Sequence, residues 1–153
     1  MQSGVSFTDT FGPMIFGAVK NLQQNLEKAS RKNAYYIQAM WTKGIRNQSL
    51  KSNPVKNWDE LSEKYLNSKR KKSGSNLINV LKGDYSGSIN VAKNNMGYYE
   101  VGTNANHEGF YYPLYFENKT GKAYRPSLAP VLILSKDTVL ENFKDALKET
   151  FKK

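Results

Sequence analysis

The sequence contains no cysteine and a single histidine, His107. Without cysteine the chain can form no disulfide, no thiolate metal site and no cysteine nucleophile, and it suits a reducing compartment. One histidine cannot supply a metal site built from several imidazoles. His107 is therefore predicted to be an ordinary loop residue, and stabilisation by extracellular disulfides is excluded.

Other signatures of chemistry are also missing. Three carboxylates, Glu100, Glu108 and Glu117, are spread around glycine-containing turns and show no spacing typical of an acid–base pair. The glycine- and serine-rich stretches lack the glycine spacing and the Lys-Ser/Thr ending of a phosphate-binding loop. We therefore predict no enzyme activity, no catalytic residue, no cofactor and no bound metal.

Long apolar runs are absent as well. None approaches the roughly 20 residues that span a bilayer. The apolar residues near the N-terminus are not preceded by basic ones, as they would be in a signal peptide. We expect a protein made in the cytoplasm, without membrane contact, and its 153 residues fit one domain with its own core.

Acidic residues are few relative to basic ones. The chain has 23 Lys and Arg against 13 Asp and Glu, a net charge of +10. Residues 41–82 alone hold ten of the basic residues and three of the acidic ones. Such an excess favours association with nucleic acid, an anionic surface or an acidic partner protein, without deciding among them.

The first half of the sequence does contain a long heptad pattern. Pro13 suits a first helical turn and Gly44 a C-terminal end, so the pattern predicts one helix from Pro13 to about Arg46, after an arm of residues 1–12. This seam packs along the chain's own sheet or, in part, against another copy, with the polar residue Asn33 fixing the register. Its apolar positions are Ile15, Val19, Leu22, Leu26, Ala29, Tyr36 and Met40.

A loop at 47–56 and a short second helix follow. Asn57 stands three residues before Glu60, which is the spacing of a capping box at a helix start. The run from Lys69 to Lys72 and the Gly/Ser residues after it predict a mobile, solvated connection. The inner side of the helix is predicted to hold Trp58, Leu61, Tyr65 and Leu66.

The second half predicts a small sheet and a terminal helix. Ile89 and Val91 alternate with polar residues, NNMG suits a turn, and YYEVGTN resumes the alternation, which is typical of a β-hairpin. YYPLYFEN fits either a strand or a short helix opened by Pro113, NKTG is a turn, and PSLAPVLIL is expected to be buried. A last helix, capped by Ser135 or Asp137, is predicted to close the sequence. The side chains on its inner side are predicted to be Val139, Leu140, Phe143, Leu147 and Phe151.

Together these elements predict an α+β fold in a single domain, residues 13–153. The predicted order is a long N-terminal helix, a short second helix, a small antiparallel sheet with a hairpin, and a C-terminal amphipathic helix packed on one face of it.

Five short motifs in order resemble those of the virion-morphogenesis and tail-completion (neck) proteins of tailed bacteriophages, over about residues 57–134. They are WDELSEKY from 58, GDYSGSI from 83, VGTN from 101, YYPLYFENKTG with its acidic residue at 117, and YRPSLAPVL from 124. The chain departs from the family pattern at three places. It has Tyr85 where the family usually has Leu, Ser127 where the family commonly has Phe, and Tyr112-Pro113 where the family usually has Tyr-Ala. The motif residues are Trp58, Leu61, Tyr65, Gly83, Tyr85, Ser88, Ile89, Val101, Gly102, Thr103, Glu117, Arg125, Pro126 and Leu128.

The resemblance implies a non-enzymatic structural protein of the virion neck, assembled in the host bacterial cytoplasm. It implies a homo-oligomeric ring, usually a hexamer, that joins the head connector to the tail tube. The neighbours would be connector or stopper proteins on one side and tail-terminator or tail-tube proteins on the other. Within the chain, Gly83 to Ile89 would set the register of the sheet against the helices, with Tyr85 as a buried anchor.

The basic run Lys69, Arg70, Lys71 and Lys72 has more than one interpretation. It is a solvated loop, or an electrostatic interface with an acidic neighbouring subunit or with packaged DNA. Because dense positive charge in a channel would hinder DNA exit, we favour an outer or inter-ring position. The alternative function is that of a small basic nucleic-acid-binding protein. One point against it is that Trp58 and Tyr65 are predicted to pack in the core and not to stack on bases.

Overall fold

One long helix, α1, spans Phe11–Arg46 and organises the fold. The computed structural model describes residues 11–52, 54–74, 76–78, 84–106, 108–119 and 124–152. The helix begins at Phe11 and not at Pro13, so residues 11 and 12 of the predicted arm are helical. The rest of that arm, residues 1–10, lies outside the described residues. The helix ends near Gln48, which takes a positive φ of 57° and whose side-chain amide donates to the Ile45 carbonyl over 2.6 Å.

Gly44 lies inside α1 and does not end it, contrary to the prediction. It is buried, and a Cβ added there would lie 2.7 Å from Leu50 Cγ. The chain turns back after α1 and presses Leu50 onto the helix at this point. Close packing, not helix termination, therefore explains the glycine.

The seam of α1 packs against the C-terminal helix α5, which spans Leu128–Phe151. The two helices run antiparallel. Trp41 Nε1 donates to Ser127 Oγ over 2.8 Å at one end, and Asn25 Nδ2 donates to Thr150 Oγ1 over 3.1 Å at the other. The partner of the seam over this length is thus a helix of the same chain.

Asn33, the polar position of the seam, is buried between α1 and α5. Its Oδ1 accepts a hydrogen bond of 2.6 Å from Asn142 Nδ2, and its Nδ2 donates to the Val139 carbonyl over 3.3 Å. It therefore fixes the register of α1 against its own α5. The sheet meets a different side of α1, where Gln38 Nε2 donates to the Ile89 carbonyl over 2.7 Å, so the expectation that the seam packs on the sheet is wrong.

The predicted hairpin is confirmed. Strands β1, Ile89–Lys93, and β2, Tyr99–Thr103, pair antiparallel, with Ile89 opposite Thr103 and Lys93 opposite Tyr99. In the turn, the Asn94 side-chain oxygen accepts two backbone N–H groups, each over 3.0 Å. Since the hairpin lies on α1, the molecule has three layers: hairpin, α1 and α5.

The second helix, α2, spans Glu63–Ser73 and begins later than predicted. Ser62 caps it, not Asn57: the Ser62 hydroxyl accepts a backbone N–H of the first turn over 3.4 Å. Trp58 is buried, and its backbone N–H donates to the Lys51 carbonyl over 2.8 Å. This contact ties the backbone at 58 to the preceding loop, and residues 56–62 are not helical.

The basic run from Lys69 to Lys72 lies inside α2, and the prediction of a mobile connection is wrong at these positions. Lysine and arginine are good helix formers, and basic residues near a helix C-terminus interact favourably with its dipole. The helix continues to Ser73 and ends at Gly74, which has a φ of 67° and donates its N–H to the Arg70 carbonyl over 3.0 Å.

Two short helices precede α5: α3 at Asp84–Gly87 and α4 at Tyr112–Glu117. The second of these decides between the two interpretations of YYPLYFEN in favour of a helix. Pro113 stands in its first turn, where its missing N–H costs nothing. In the predicted NKTG turn, Asn118 and Lys119 follow α4, while residues 120 and 121 lie outside the described residues.

Helix α5 starts at Leu128, well before the predicted caps Ser135 and Asp137. Pro130 fits because backbone N–H groups of a first turn have no intrahelical partner. The burial expected of PSLAPVLIL applies to its first part only. The exposed residues at its end are Leu132, Ile133 and Leu134.

The buried side of α5 is rotated from the predicted one. Its buried residues are Pro130, Val131, Ser135 and Ala146. Of the five residues predicted to point inward, Val139 and Phe143 are half-buried. The other three, Leu140, Leu147 and Phe151, are exposed. The apolar surface of α5 is therefore wider than the part that α1 covers.

The core lies where the C-terminal half of α1 meets the start of α5, the hairpin and the loops. The fold is α+β, as predicted, with helices and one two-stranded antiparallel sheet in the described part of the chain. The buried core residues are Trp41, Ile45, Leu50, Trp58, Ile78, Tyr85, Ile89, Ala105 and Val131.

Candidate assembly surfaces

Ser127 is the centre of a buried hydrogen-bond network that joins distant segments. Its Oγ lies 2.8 Å from Trp41 Nε1, 2.8 Å from the Tyr85 hydroxyl and 2.9 Å from Glu117 Oε1. An indole N–H only donates and a carboxylate only accepts. Ser127 therefore gives its one proton to Glu117 and accepts from Trp41 and Tyr85. We call these four residues the Ser127 hub.

Glu117 also closes the start of α5. The same Oε1 accepts the backbone N–H of Ser127 over 2.6 Å and that of Leu128 over 2.9 Å. These N–H groups lack partners within the helix, and a negative charge at a helix N-terminus is favourable. A side chain from α4 thus takes the place of the missing side-chain cap at Ser127.

Tyr85 is the aromatic centre of the hub. Its ring stands edge-on to Trp41, with centroids 6.1 Å apart, and to Tyr112, at 5.8 Å. Burial raises the pKa of the Tyr85 hydroxyl well above its ordinary value, and the hydrogen bond with Ser127 opposes that rise only in part. The hydroxyl is therefore a neutral structural donor.

Further motif residues hold the segment before α5 in place. Trp58 Nε1 donates to the Pro126 carbonyl over 2.8 Å, and Arg125 donates from Nε and Nη2 to the Asp59 carbonyl, each over 3.2 Å. The motif residues buried in the core or packed against it also include Leu61, Ile89, Val101 and Leu128.

The remaining motif residues lie outside the core. The Ser88 and Thr103 hydroxyls bond to each other across the start of the hairpin, and Gly102 is exposed. Tyr65 is 53% exposed on α2, so its predicted core packing is wrong. Gly83 lies outside the described residues.

The predicted interface of four basic residues does not form one surface. Lys69 is buried and its Nζ donates to the Leu77 carbonyl; burial, and then the nearby Arg125 charge, lower the pKa of Lys69. Arg70 Nε donates to Asn76 Oδ1 over 2.6 Å. These two residues tie α2 to the segment that follows it.

The outer side of α2 forms a different surface, which we call the α2 basic face: Lys64, Tyr65, Ser68, Lys71 and Lys72. Their spacing of three, four and seven residues places them on one side of the helix, and all are exposed. Within the described residues, no ion pair involves any of the three lysines. The face therefore combines uncompensated positive charge with an exposed aromatic ring.

The first turns of α1 form an exposed apolar surface, which we call the α1 tip, residues 11–19. They carry no charged side chain. Among the hydrogen bonds given between described residues of α1 and α5, the one nearest the start of α1 joins Asn25 to Thr150, at the end of α5, and α1 extends roughly 20 Å further, at about 1.5 Å per residue. The exposed fractions are 66% at Phe11, 65% at Met14, 45% at Ile15, 78% at Phe16 and 56% at Val19.

A second apolar surface follows the outer side of α5. Ile133, Leu140 and Leu147 are spaced by seven residues and Phe151 follows four later, so the four share one side of the helix. They are 43–67% exposed and face away from the buried residues Val131 and Ala146. We call Ile133, Leu140, Leu147 and Phe151 the outer stripe.

Groups suited to catalysis are scattered in the described part of the chain. No cluster of three or more acidic or histidine side chains suited to a metal occurs there. Glu100 accepts from Asn94, Glu117 belongs to the hub, and His107 lies outside the described residues. Among the helices described, none is long and apolar enough to cross a membrane.

Comparisons with known proteins give no relative: no family model, no curated protein and no solved structure matches the chain. The interpretation of the surfaces therefore depends on their physical properties and on the motif resemblance.

The sequence gives no signal for one of these features and an ambiguous signal for another. Pairing of Trp41 with Ser127 has no local signal, because the two positions are 86 residues apart. The outer stripe does have a signal, since Ile133, Leu140 and Leu147 repeat at seven residues. That repeat alone does not separate an outer stripe from an inner one, because one helix can carry two apolar sides.

Proposed function

We propose that the chain is a structural virion protein of the phage neck, which assembles into a homo-oligomeric ring between the head connector and the tail tube. The observation that carries the proposal is the α1 tip. The seam that packs on α5 continues at the same spacing to Val19 and Ile15, but α5 ends at Phe151, next to the Thr150 that bonds to Asn25, and Ile15 and Val19 remain exposed. Exposed apolar area of this extent is typical of a protein–protein contact.

The outer stripe adds a second argument. A ring needs heterologous contacts, in which two different surfaces of one subunit meet their counterparts on two neighbours. The α1 tip and the outer stripe are different surfaces, and both are apolar. The motif resemblance adds the location in the virion, the expected six-fold symmetry, and the connector-side and tail-side neighbours.

The test is the assembly state of the purified chain, measured by mass photometry and negative-stain microscopy. We expect closed rings of one size. As a matched pair, Ile15→Asp in the tip should abolish them, whereas Lys32→Asp, at an exposed site on the same helix, should not. A chain that stays monomeric at all concentrations, alone and with its virion neighbours, would contradict the proposal.

The α2 basic face supports one second candidate, a small nucleic-acid-binding protein. Lysines contact phosphates and an exposed tyrosine stacks on bases, a combination used in single-strand binding. Core packing of Tyr65 would count against this function, but Tyr65 is exposed. Along α2, Tyr65 and Lys72 are seven residues apart, about two helical turns, which places them on one side of the helix.

Fluorescence anisotropy with labelled single-stranded DNA tests this candidate. Replacing Lys64, Lys71 and Lys72 with serine should weaken binding at low salt. The matched control replaces Lys144, Lys148 and Lys152, which pair with acidic residues on α5, and should change binding little. Equal weakening by both triple variants would show that total charge, not the α2 basic face, attracts the nucleic acid.

A further inference from the structure

We infer that the α1 tip of one copy packs on the outer stripe of α5 of the next copy, and that this helix-on-helix contact is the repeating interface of the ring. The inference rests on the proposed function, since it specifies the partner surface within the proposed ring. It adds which two surfaces meet, and it makes the interface apolar.

Continuity with the contact inside the chain is the first argument. From Asn25 to Trp41, the α1 seam packs on a helix, α5 of the same chain. The same heptad spacing continues through Val19 and Ile15. Because the spacing is unchanged, the exposed part of the seam has the geometry to pack on the apolar side of another helix, as the covered part does.

The dimensions of the outer stripe suit this partner. From Ile133 to Phe151 the stripe runs for roughly 27 Å, and the nine residues of the tip for about 13 Å, at 1.5 Å per residue. The stripe therefore has room for the whole tip. Its side chains repeat at seven residues, the spacing that forms holes for the side chains of a facing helix.

Charge is the third argument. The tip has no charged residue from 11 to 19, so its burial removes no charge from water. On α5, Asp145 and Lys148 lie on another side of the helix and pair with each other over 3.1 Å, whereas Lys136 and Lys144, each four residues from Leu140, stand at the edges of the stripe. Packing of the tip on the stripe leaves the Asp145–Lys148 pair exposed to solvent, and the long side chains of Lys136 and Lys144 can keep their ammonium groups in water at the edge of the contact.

Symmetry excludes the two self-pairings as the ring contact. Tip against tip, or stripe against stripe, is an isologous contact that closes at a dimer. Tip against stripe leaves one free tip and one free stripe after each addition. As a single repeated contact, only this combination lets subunits add until a ring closes.

Disulfide cross-linking tests the contact, and the absence of cysteine from the chain means that introduced thiols are the only ones. One chain carries Ile15→Cys. Others carry Ile133→Cys, Leu140→Cys or Leu147→Cys. Because a disulfide requires Cα atoms within about 7 Å, oxidation of Ile15→Cys mixed with at least one stripe variant should give a covalent dimer. Asp145→Cys, elsewhere on α5, is the matched control and should give none.

The outcomes separate the inference from the proposed function. Dimers formed by Ile15→Cys alone, or by Leu140→Cys alone, would reveal an isologous contact and overturn the inference. Rings without any tip-to-stripe cross-link would overturn it while leaving the proposed function intact. Absence of any oligomer would overturn both.

A complementation experiment gives an independent check without cysteine chemistry. Ile15→Asp removes the tip and Leu140→Asp the stripe, so each variant alone should be monomeric. Mixed, the intact stripe of the first and the intact tip of the second should form a one-to-one dimer that grows no further. Circular dichroism should match that of the parent chain for both variants, because both side chains are exposed in the monomer. A mixture that remains monomeric while the parent forms rings would contradict the inference.

Discussion

At the scale of single residues, Ser127 gives the core its specificity. Its hydroxyl has three partners with fixed roles, since Trp41 and Tyr85 donate and Glu117 accepts. A buried network in which every polar group is bonded favours one arrangement of the core over others.

Substitution of Tyr85 tests the hub. Tyr85→Ala should lower the free energy of unfolding by about 3 kcal/mol or more, because the aromatic ring is fully buried. Tyr85→Phe removes only the hydroxyl bond to Ser127 and should cost about 1 kcal/mol. Urea denaturation followed by tryptophan fluorescence measures both. A Tyr85→Ala variant as stable as the parent would show that the hub does not support the core.

The raised pKa of Tyr85 predicts a pH dependence. Above about pH 10 the unfolded chain releases this tyrosine proton while the folded chain retains it. Fewer protons are then bound in the unfolded state, so stability falls as pH rises. The advantage of the parent over Tyr85→Phe should therefore shrink above about pH 10, by up to about 1.4 kcal/mol per pH unit. If the difference in unfolding free energy between the parent and Tyr85→Phe stayed constant above pH 10, the raised pKa of Tyr85 would be contradicted.

At the residue scale, the sequence predicted the burial of a side chain correctly only for some positions of the short motifs. Tyr85 and Ile89 are buried, where the sequence placed them. Tyr65 is exposed and Lys69 is buried, the reverse of what residue type suggests. Their orientation depends on where α2 begins, which is after the Ser62 cap and not after Asn57.

At the scale of elements, two glycines of α1 give opposite predictions for the same substitution. Gly17 has open space around a built Cβ, whereas at Gly44 the Cβ would lie 2.7 Å from Leu50. Gly17→Ala should stabilise by about 0.5–1 kcal/mol through helix propensity. Gly44→Ala should destabilise by about 1–3 kcal/mol because the site is already filled.

The measurement for this pair is thermal and urea unfolding, with far-UV circular dichroism for helix content. Both variants gain the same intrinsic propensity, so each serves as the control for the other. Equal effects at the two positions would show that Leu50 moves aside without cost.

The elements themselves were largely predictable, and their boundaries were not. The heptad pattern indicates α1 and the alternation indicates the hairpin, because both signals are long and periodic. The starts of α2 and α5 were misplaced, since contacts across the fold set them: Trp58 with Pro126, and Glu117 with Leu128. A local search for capping residues does not detect a cap supplied by another helix.

At the scale of the whole molecule, apolar and charged surfaces are separated. The α1 tip and the outer stripe supply exposed apolar area, and the α2 basic face supplies positive charge. Lys144 and Lys148 of α5 pair with acids on the same helix, and Lys152, just after its end, pairs with Glu149 over 2.5 Å; such exposed pairs contribute little to stability. They do, however, cancel charge locally, which leaves α2 as a source of the excess.

This separation predicts that salt will act in opposite ways on assembly and on nucleic-acid binding. Contacts between lysine and phosphate release counterions, so DNA affinity should fall steeply from about 50 to 200 mM salt. An apolar interface is not screened, and ring formation through the tip should persist over that range. Mass photometry and anisotropy on the same samples measure the two processes.

The triple replacement of Lys64, Lys71 and Lys72 with serine sharpens the prediction. Removing one lysine that binds a phosphate should reduce the salt slope by about one, so the slope for duplex DNA should fall by roughly three if all three lysines bind phosphates. The ring fraction should be unchanged, because none of the three belongs to the tip or the stripe. Rings that dissolve with rising salt, or that disappear in this variant, would mean that α2 and not the apolar tip holds the subunits together.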